Sequence, residues 1–560
     1  MTTGPWVDGK TFGEVLRQTA ARFGDRDAVV FPKLGLRWSY AEFEQHVRAT
    51  AKALMVLRVN KGDHVGVWAT NWPEWILLQF GTGLIGAVLV NVNPAYRTHE
   101  FAYILKQADI KLLFITDKHK TSDYEAMTAE LLPTVMSGPA GRRIASAEFP
   151  RLTHVVSIKA ATGLPGALDW PTFIAQGARV PDVRVDALAS AVHASDPVNI
   201  QYTSGTTGNP KGAMLSHRNL LMNAFYAGQR QRITERDRVC IPVPFYHCFG
   251  CVMGTLMSAE YGAAMIVPAE SFDPEATLTA VAEERCTALY GVPTMFNAEV
   301  NHPDFAKYDL TSLRTGIMAG SPCPIELMKR VVSEMHCKEV TIAYGQTEAS
   351  PIVTQSNTTD SLDVRVSTVG SELPGVEARI VDPATGRDCA PGEQGEFWAR
   401  GHGIMLGYYN LPEATAAAID KDGWLHSGDL AVKTPAGHYK ITGRIKDMII
   451  RGGENVYPRE IEEFLLTHPK IRDVQVVGVP DEKFGEQVSA WIVLKEPGTL
   501  TDTEVKVFCR EKIAHYKVPH YVVFVDEFPL TVTGKVQKFK LRDMGIERFG
   551  LGRAAAVQTA

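Results

Sequence analysis

The chain has 560 residues, 45% of them hydrophobic and 22% charged, and a net charge of −5. That length exceeds what one hydrophobic core organises, so two to four structural units are expected. The ordinary hydrophobic fraction excludes a disordered chain, and the mildly acidic balance argues against a general nucleic-acid binder.

The start, MTTGPWVDGKTFGEVL, lacks the basic-then-apolar pattern of a secretory signal. AEFEQHVRATAKALMVL (41–57) places Phe43, Val47, Ala51, Leu54 and Met55 at helical spacing. The most apolar stretch, WILLQFGTGLIGAVLVNVN (75–93), contains Gln79, Thr82 and three glycines. It predicts a buried helix followed by a strand, with no integral membrane span. The short runs HVGVWAT, AVLVNV, KLLFIT, AAMIVP, TALYGVP, TGIMAG and VTIAYG are rich in strand formers and alternate with helical segments. That alternation predicts an α/β fold, a mostly parallel sheet with helices on its faces. The segment 118–196 is rich in Ala, Pro and Gly and shows no period.

From about 365 the texture changes. VEARIVD, GEFWARG and HYKITGR read as antiparallel strands joined by Gly/Asp turns. A compact α+β unit follows DMIIRGGENVYP: PREIEEFLLTHP is a helix, and VQVVGVP, VSAWIVL and YVVFVDEF are strands. TDTE (501–504) is a capping box that opens another helix. Residues 446–560 carry 17 Lys+Arg and 17 Asp+Glu, so this unit has no net basic character. Of the eight cysteines, Cys248 and Cys251 form a lone C-x-x-C without a second pair, which favours buried thiols in a reducing compartment over a metal site. A cytoplasmic protein is expected.

TSGTTGNPKG (203–212) has the glycines and small hydroxyl residues that let a backbone close around a bulky anion. A flexible surface loop has the same composition. It is not the common phosphate loop G-x-x-x-x-G-K-[ST], because Pro210 stands where a Gly belongs and Gly212 follows Lys211. A metal must then be held elsewhere.

YTSGTTGNPKGAMLSHRNL resembles the signature of the adenylate-forming superfamily of acyl-CoA synthetases, luciferases and peptide-synthetase adenylation domains. Further segments resemble that family's landmarks in order: AGSPCP (319–324), YGQTEASP (344–351), GWLHSGDL (423–430), GRIKDMIIRGGENVYPREIE (443–462) and PLTVTGKVQK (529–538). The resemblance implies a large N-terminal adenylate-forming domain over 1–445, of parallel α/β subdomains plus a small β subdomain. It implies a hinge at Lys446 and Asp447 and a small mobile α+β C-terminal domain over 448–560. The implied co-substrates are ATP and coenzyme A, with Mg2+ as the metal.

The implied roles are as follows. Thr203, Ser204, Gly205, Thr206, Thr207, Gly208 and Lys211 cradle the β- and γ-phosphates. Glu348 is the magnesium ligand and Thr347 touches the α-phosphate. Gly320, Ser321, Tyr344 and Gly345 border the adenine. Asp429 takes the ribose diol, with Arg444 nearby. Lys535 bridges the substrate carboxylate and the α-phosphate during adenylation. Gly452, Gly453 and Glu454 border the thiol channel afterwards.

In amino-acid-activating relatives an Asp pairs with the substrate's amino group near the acyl pocket. PVPFYHCFGCVMG (242–254) has Tyr246 there and no acid nearby, and a buried ammonium without a counter-ion is costly. Tyr246, His247 and Gly250 are the candidate acyl-pocket residues, and Tyr290, Val292, Met295 and Phe296 are either further lining or core. The FYHC wording most resembles medium-chain fatty acyl-CoA synthetases. An aryl acid, a carrier-protein acceptor and a non-catalytic nucleotide binder stay open as alternatives, as does a homodimer.

Overall fold

The computed structural model describes residues 4–203, 209–321, 323–451, 454–481, 483–510, 512–531 and 534–555. They form two compact units, Met1–Ala378 with Ala399–Leu425, and Arg379–Trp398 with His426–Ala560.

The first unit is built on two sheets. One runs, edge to edge, through seven strands: Gly407–Tyr408, Lys211–Ser216, Pro197–Thr203, Val88–Asn91, His64–Trp68, Ile110–Ile115 and His154–Ser157. The pairs from Pro197–Thr203 to His154–Ser157 are parallel, and the edge beyond them is antiparallel. The other sheet has nine strands. Its parallel middle comprises Glu339–Gly345, Thr315–Ala319, Ala288–Gly291, Arg238–Cys240, Ala264–Ile266 and Asp27–Phe31. Antiparallel strands close both of its edges.

Strand residues of alternate parity separate the faces. Val65, Val67 and Leu89 of one sheet share a buried cluster with Val239, Ala288 and Tyr290 of the other. Trp68, Ile110 and Leu113 face a second cluster, and Leu289, Met318 and Ile266 a third. Helices fill the shared middle layer. Pro73–Ile85 is one of them, and 12 of its 13 residues are buried. A helix apolar on every side is stable only when enclosed on every side, which is why 75–93 looks membrane-like in the sequence. Its N1 proline and the positive φ (74°) of Gly86 after its end bound it as local rules predict. Among the described residues no helix is long and apolar enough to cross a membrane.

The helix expected over 41–57 is Tyr40–Val56, opened by a Ser39–Glu42 capping box. The patternless segment 118–196 holds the edge strand His154–Ser157 and the helices Trp170–Gly177 and Asp182–Ala189. A four-residue strand offers too few positions for a period to show.

The second unit holds most of a four-stranded sheet, Val376–Val381, Gln394–Gly401, Leu425–Lys433 and Tyr439–Arg444. It also holds a five-stranded sheet around the long hairpin Ile471–Asp481 and Gly485–Leu494, with Tyr521–Phe524 added in parallel. The capping box at Thr501–Glu504 is present and opens helix Asp502–Cys509.

Glu299, on helix Pro293–Val300, is 1% exposed, and neither of its carboxylate oxygens has a hydrogen-bond partner among the described residues. Burial pushes its pKa from 4.5 up to about 8. Below the lower value folded and unfolded chains are both protonated there. Between the two values only the unfolded chain ionises, so stability falls by about 1.4 kcal/mol per pH unit before levelling off. Glu299→Gln is therefore expected to raise the urea midpoint more at pH 7.5 than at pH 5, measured by circular dichroism; an equal gain at both values would contradict the assignment of a neutral folded carboxyl.

Candidate active site

In open α/β sheets ligands bind beyond the carboxyl ends of the strands. The candidate residues of the first unit collect at such ends. Gly320 and Ser321 follow strand Thr315–Ala319, and Tyr344 and Gly345 end the adjacent strand Glu339–Gly345. Gly320 has φ +91°, a conformation glycine adopts without strain. A Cβ on Gly345 would lie 1.8 Å from the Pro351 carbonyl oxygen, so only glycine fits there.

Thr347 and Glu348 sit on the short 3-10 turn that follows. Glu348 is buried, at 9% exposure, and its Oε1 accepts a 2.8 Å hydrogen bond from the Tyr408 hydroxyl. Burial first, and the Glu348 charge next, raise the Tyr408 pKa, so the phenol stays a donor. The turn is braced from two sides. Met405 N–H donates to the Glu348 carbonyl at 2.9 Å, and Asn223 Nδ2 donates to the Ile352 carbonyl at 2.7 Å.

Thr203 ends strand Pro197–Thr203 and pairs in register with Lys211, the first residue of Lys211–Ser216. The predicted phosphate residues Ser204, Gly205, Thr206, Thr207 and Gly208 between them lie outside the described residues. Their flank is anchored: Tyr103 Oη donates to the Pro210 carbonyl at 3.3 Å, and Tyr409 N–H to the Gly212 carbonyl at 2.8 Å. The Lys211 ammonium lies 5.2 Å from the centroid of the Tyr408 ring. Tyr408 thus touches both a cation and a carboxylate that the sequence places in different motifs.

Tyr246, His247 and Gly250 lie on the link between strand Arg238–Cys240 and the helix beyond it. That link ends in a π-helix, Phe249–Leu256, buried at every residue. π-helical turns recur at functional sites. Cys248 Sγ approaches Thr347 Oγ1 at 3.9 Å and His247 Nδ1 at 3.6 Å, which brings the FYHC stretch to the Thr347–Glu348 turn. Tyr290 packs on Phe249, ring centroids 5.9 Å apart. Phe296 belongs to the separate cluster with Leu278, Leu289 and Met318, so it is core.

The second unit carries the remaining candidates. Asp429 and Arg444 face each other across the strand pair Leu425–Lys433 and Tyr439–Arg444, with Arg444 Nε donating to Asp429 Oδ1 at 3.0 Å. The Asp429 side chain is 8% exposed and that of Arg444 57%. Lys446 and Asp447 form a single 3-10 turn between two strands. Gly452 and Gly453 lie outside the described residues, as does the side chain of Glu454; its backbone pairs with Arg451. Lys535 closes a small turn in which its N–H donates to Thr531 Oγ1 at 3.0 Å and its carbonyl accepts from the Thr531 N–H at 2.7 Å.

Sequence reasoning missed Tyr408 and the buried amides Asn91 and Gln201. Tyr408 stands in the plain run GYYN (407–410), where no spacing marks it. Gln201, two positions before Thr203 on a strand face that should be apolar, was the one legible signal.

Comparison with known proteins agrees with this architecture. The model of the AMP-binding enzyme family matches residues 16–409, and that of the AMP-binding enzyme C-terminal domain matches residues 460–535. YngI of Bacillus subtilis (strain 168), provisionally named an acyl-CoA synthetase, is 50% identical over 541 residues, covering 97% of this chain and 98% of that protein. The mitochondrial medium-chain acyl-CoA ligase ACSF2 of Danio rerio is 43% identical over 97% of this chain and 90% of its own length. Among solved structures, the anthranilate CoA ligase AuaEII in complex with anthranoyl-AMP has a TM-score of 0.84 at 25% identity, covering 97% of this chain and 98% of that one. ATP-bound MatB from Rhodopseudomonas palustris has a TM-score of 0.77 at 27% identity, covering 96% of this chain and 99% of its own. With the ordered motifs, the first three of which lie at strand ends of the two α/β sheets, these matches lead to one conclusion: the chain belongs to the AMP-binding enzyme family and is an AMP-forming acyl-CoA ligase.

Proposed function

We propose that this ligase activates a medium-chain fatty acid. A substrate carboxylate oxygen attacks the α-phosphorus of ATP, pyrophosphate leaves, and an acyl-adenylate forms. The coenzyme A sulfur then attacks the acyl carbonyl carbon, its proton goes to solvent, and AMP leaves. The observation that carries this reading is the approach of the FYHC stretch to Thr347 through Cys248, at 3.9 Å. It sets a buried, mostly apolar wall beside the turn that holds Thr347 and Glu348, so a hydrocarbon tail and a reacting carboxylate fit together. The relatives named medium-chain acyl-CoA ligases, 40–43% identical, support the chain length.

Bringing two anions together needs fixed positive charge. Lys211 supplies it at the phosphate loop, and Lys535 is proposed to supply it at the carboxylate and α-phosphate. Magnesium takes oxygen ligands and often one carboxylate plus phosphates. Glu348, with one oxygen held by Tyr408, fits that donor chemistry, and when bound the ion neutralises phosphate charge. Tyr408 keeps the carboxylate from turning away. Asp429 is proposed for the ribose diol, Tyr344 for the adenine face, and Gly452, Gly453 and Glu454 for the thiol channel. The turn at Lys446 and Asp447 is proposed as the hinge between the two half-reactions, dividing the chain into a domain over 1–445 and a mobile one over 448–560.

The reading is tested by pyrophosphate release across straight-chain acids of increasing length, benzoate and anthranilate, with and without coenzyme A. A maximum at intermediate chain length is expected, and a preference for the aryl acids would replace the fatty-acid reading. Lys535→Ala is expected to slow adenylation by about a hundredfold or more while sparing thiol attack on supplied acyl-adenylate. Equal loss in both half-reactions would remove Lys535 from that role. Asp447→Pro should leave adenylation nearly intact and abolish thioester release; full turnover would reject the hinge. Tyr408→Phe removes a hydrogen bond to a charged group, worth about 1.5–3 kcal/mol. At least a tenfold loss in kcat/KM for ATP is expected, and an unchanged value would show that Glu348 needs no such support.

A further inference from the structure

The wall that faces Thr347 is held by side-chain amides from outside it. Asn71 Nδ2 donates to the Val243 carbonyl at 3.0 Å, and its Oδ1 accepts from the Phe245 N–H at 2.8 Å. Asn91 Nδ2 donates to the Tyr246 carbonyl at 3.0 Å. Gln79 Nε2 donates to the Cys251 carbonyl at 2.8 Å, while Thr255 Oγ1 donates to Gln79 Oε1 at 2.6 Å. Gln201 Nε2 reaches Cys251 Sγ at 3.3 Å and Asn199 Oδ1 at 2.6 Å, and Asn199 Nδ2 donates to Asn91 Oδ1 at 2.9 Å. All five amide residues are at most 5% exposed.

Burying amides is costly, and a core needing only stability would use apolar side chains instead. A fully connected buried network contributes a single fixed geometry. Here the fixed object is the backbone from Val243 to Thr255, which an ordinary helix would not hold in this shape. It tightens so far that a Cβ on Gly250 would lie 2.3 Å from the Pro244 carbonyl oxygen. Asn91 ends strand Val88–Asn91 and pairs with Gln201, two positions before the end of the adjacent parallel strand Pro197–Thr203, which leads into the predicted phosphate loop.

We propose that Asn91 and Gln201 are positioning residues for acid selection: they lock the acyl wall to the strands of the other sheet, and so set the depth at which an acyl chain is measured. This rests on the acyl-pocket assignment made above. One methylene in an apolar pocket is worth roughly 10- to 200-fold in discrimination, which a wall free to shift could not deliver.

The experiment compares wild type with Asn91→Leu, Gln201→Met and the milder Thr255→Val. Amide hydrogen exchange of peptides spanning 243–256 is measured by mass spectrometry, alongside KM and kcat for an acid series and KM for ATP. Expected are faster exchange confined to 243–256, a KM for the preferred acid raised about tenfold, and a flattened chain-length profile, with KM for ATP within about twofold. Thr255→Val should show the same pattern at smaller size, and it stands in should Asn91→Leu not fold. Unchanged exchange overturns the clamp whatever the substrate is. Faster exchange with an unchanged acid profile, or with KM for acid and ATP rising together, overturns the positioning role. Wild type that accepts aryl acids alone instead overturns the fatty-acid reading. The profile is then scored on ring-substituted acids, where the same flattening supports the clamp and its absence overturns it.

Discussion

A side-chain amide on a strand of one sheet holds a main-chain carbonyl on the link that follows a strand of the other. Asn91 ends a strand of the seven-stranded sheet, and Tyr246 lies just beyond a strand of the nine-stranded sheet. Hydrophobic burial brings the two sheets onto one middle layer, but burial is non-directional and tolerates sliding. Hydrogen bonds weaken steeply with misalignment, and a buried amide left without its partner costs about 1–3 kcal/mol. The amides therefore hold the link from Val243 to Cys251 by directional bonds as well as by burial.

On that frame the charged groups are set in contact rather than scattered. Tyr408 sits between the Lys211 ammonium and the Glu348 carboxylate, donating to one and offering its ring face to the other. Its strand pairs with Lys211–Ser216, so the edge strand that completes the sheet also delivers the phenol. Glu348 accepts from the Tyr408 hydroxyl at one carboxylate oxygen and from Met405 N–H at its main-chain carbonyl, so the carboxylate is oriented by contacts of the fold itself. Such prior orientation is the chief way an enzyme stabilises developing charge.

Elsewhere in the first unit, some buried carboxylates have no hydrogen-bond partner among the described residues. Glu299 is enclosed with neither oxygen paired, and Glu260, 2% exposed, shares that condition. Both are pushed toward the neutral form by burial. They contrast with the amide network, in which every donor named finds an acceptor.

The alternation of apolar runs and helical spacing was enough to read two classes of unit and a parallel α/β first part, because both periods are local. The ordered motifs named Glu348, Asp429, Lys211 and Lys535 by resemblance alone; of these, Glu348 and Lys211 share a contact through Tyr408. Three things were decided only by tertiary structure. The edge strand His154–Ser157 is too short to carry a period and forms because Ile110–Ile115 offers it a partner. Tyr408 gains its role from a strand pairing nearly two hundred positions away in the chain from Lys211. The amides at 71, 79, 91, 199 and 201 look like isolated polar residues in apolar runs until the fold supplies their acceptors, since a hydrogen bond's partner is a matter of space and not of sequence.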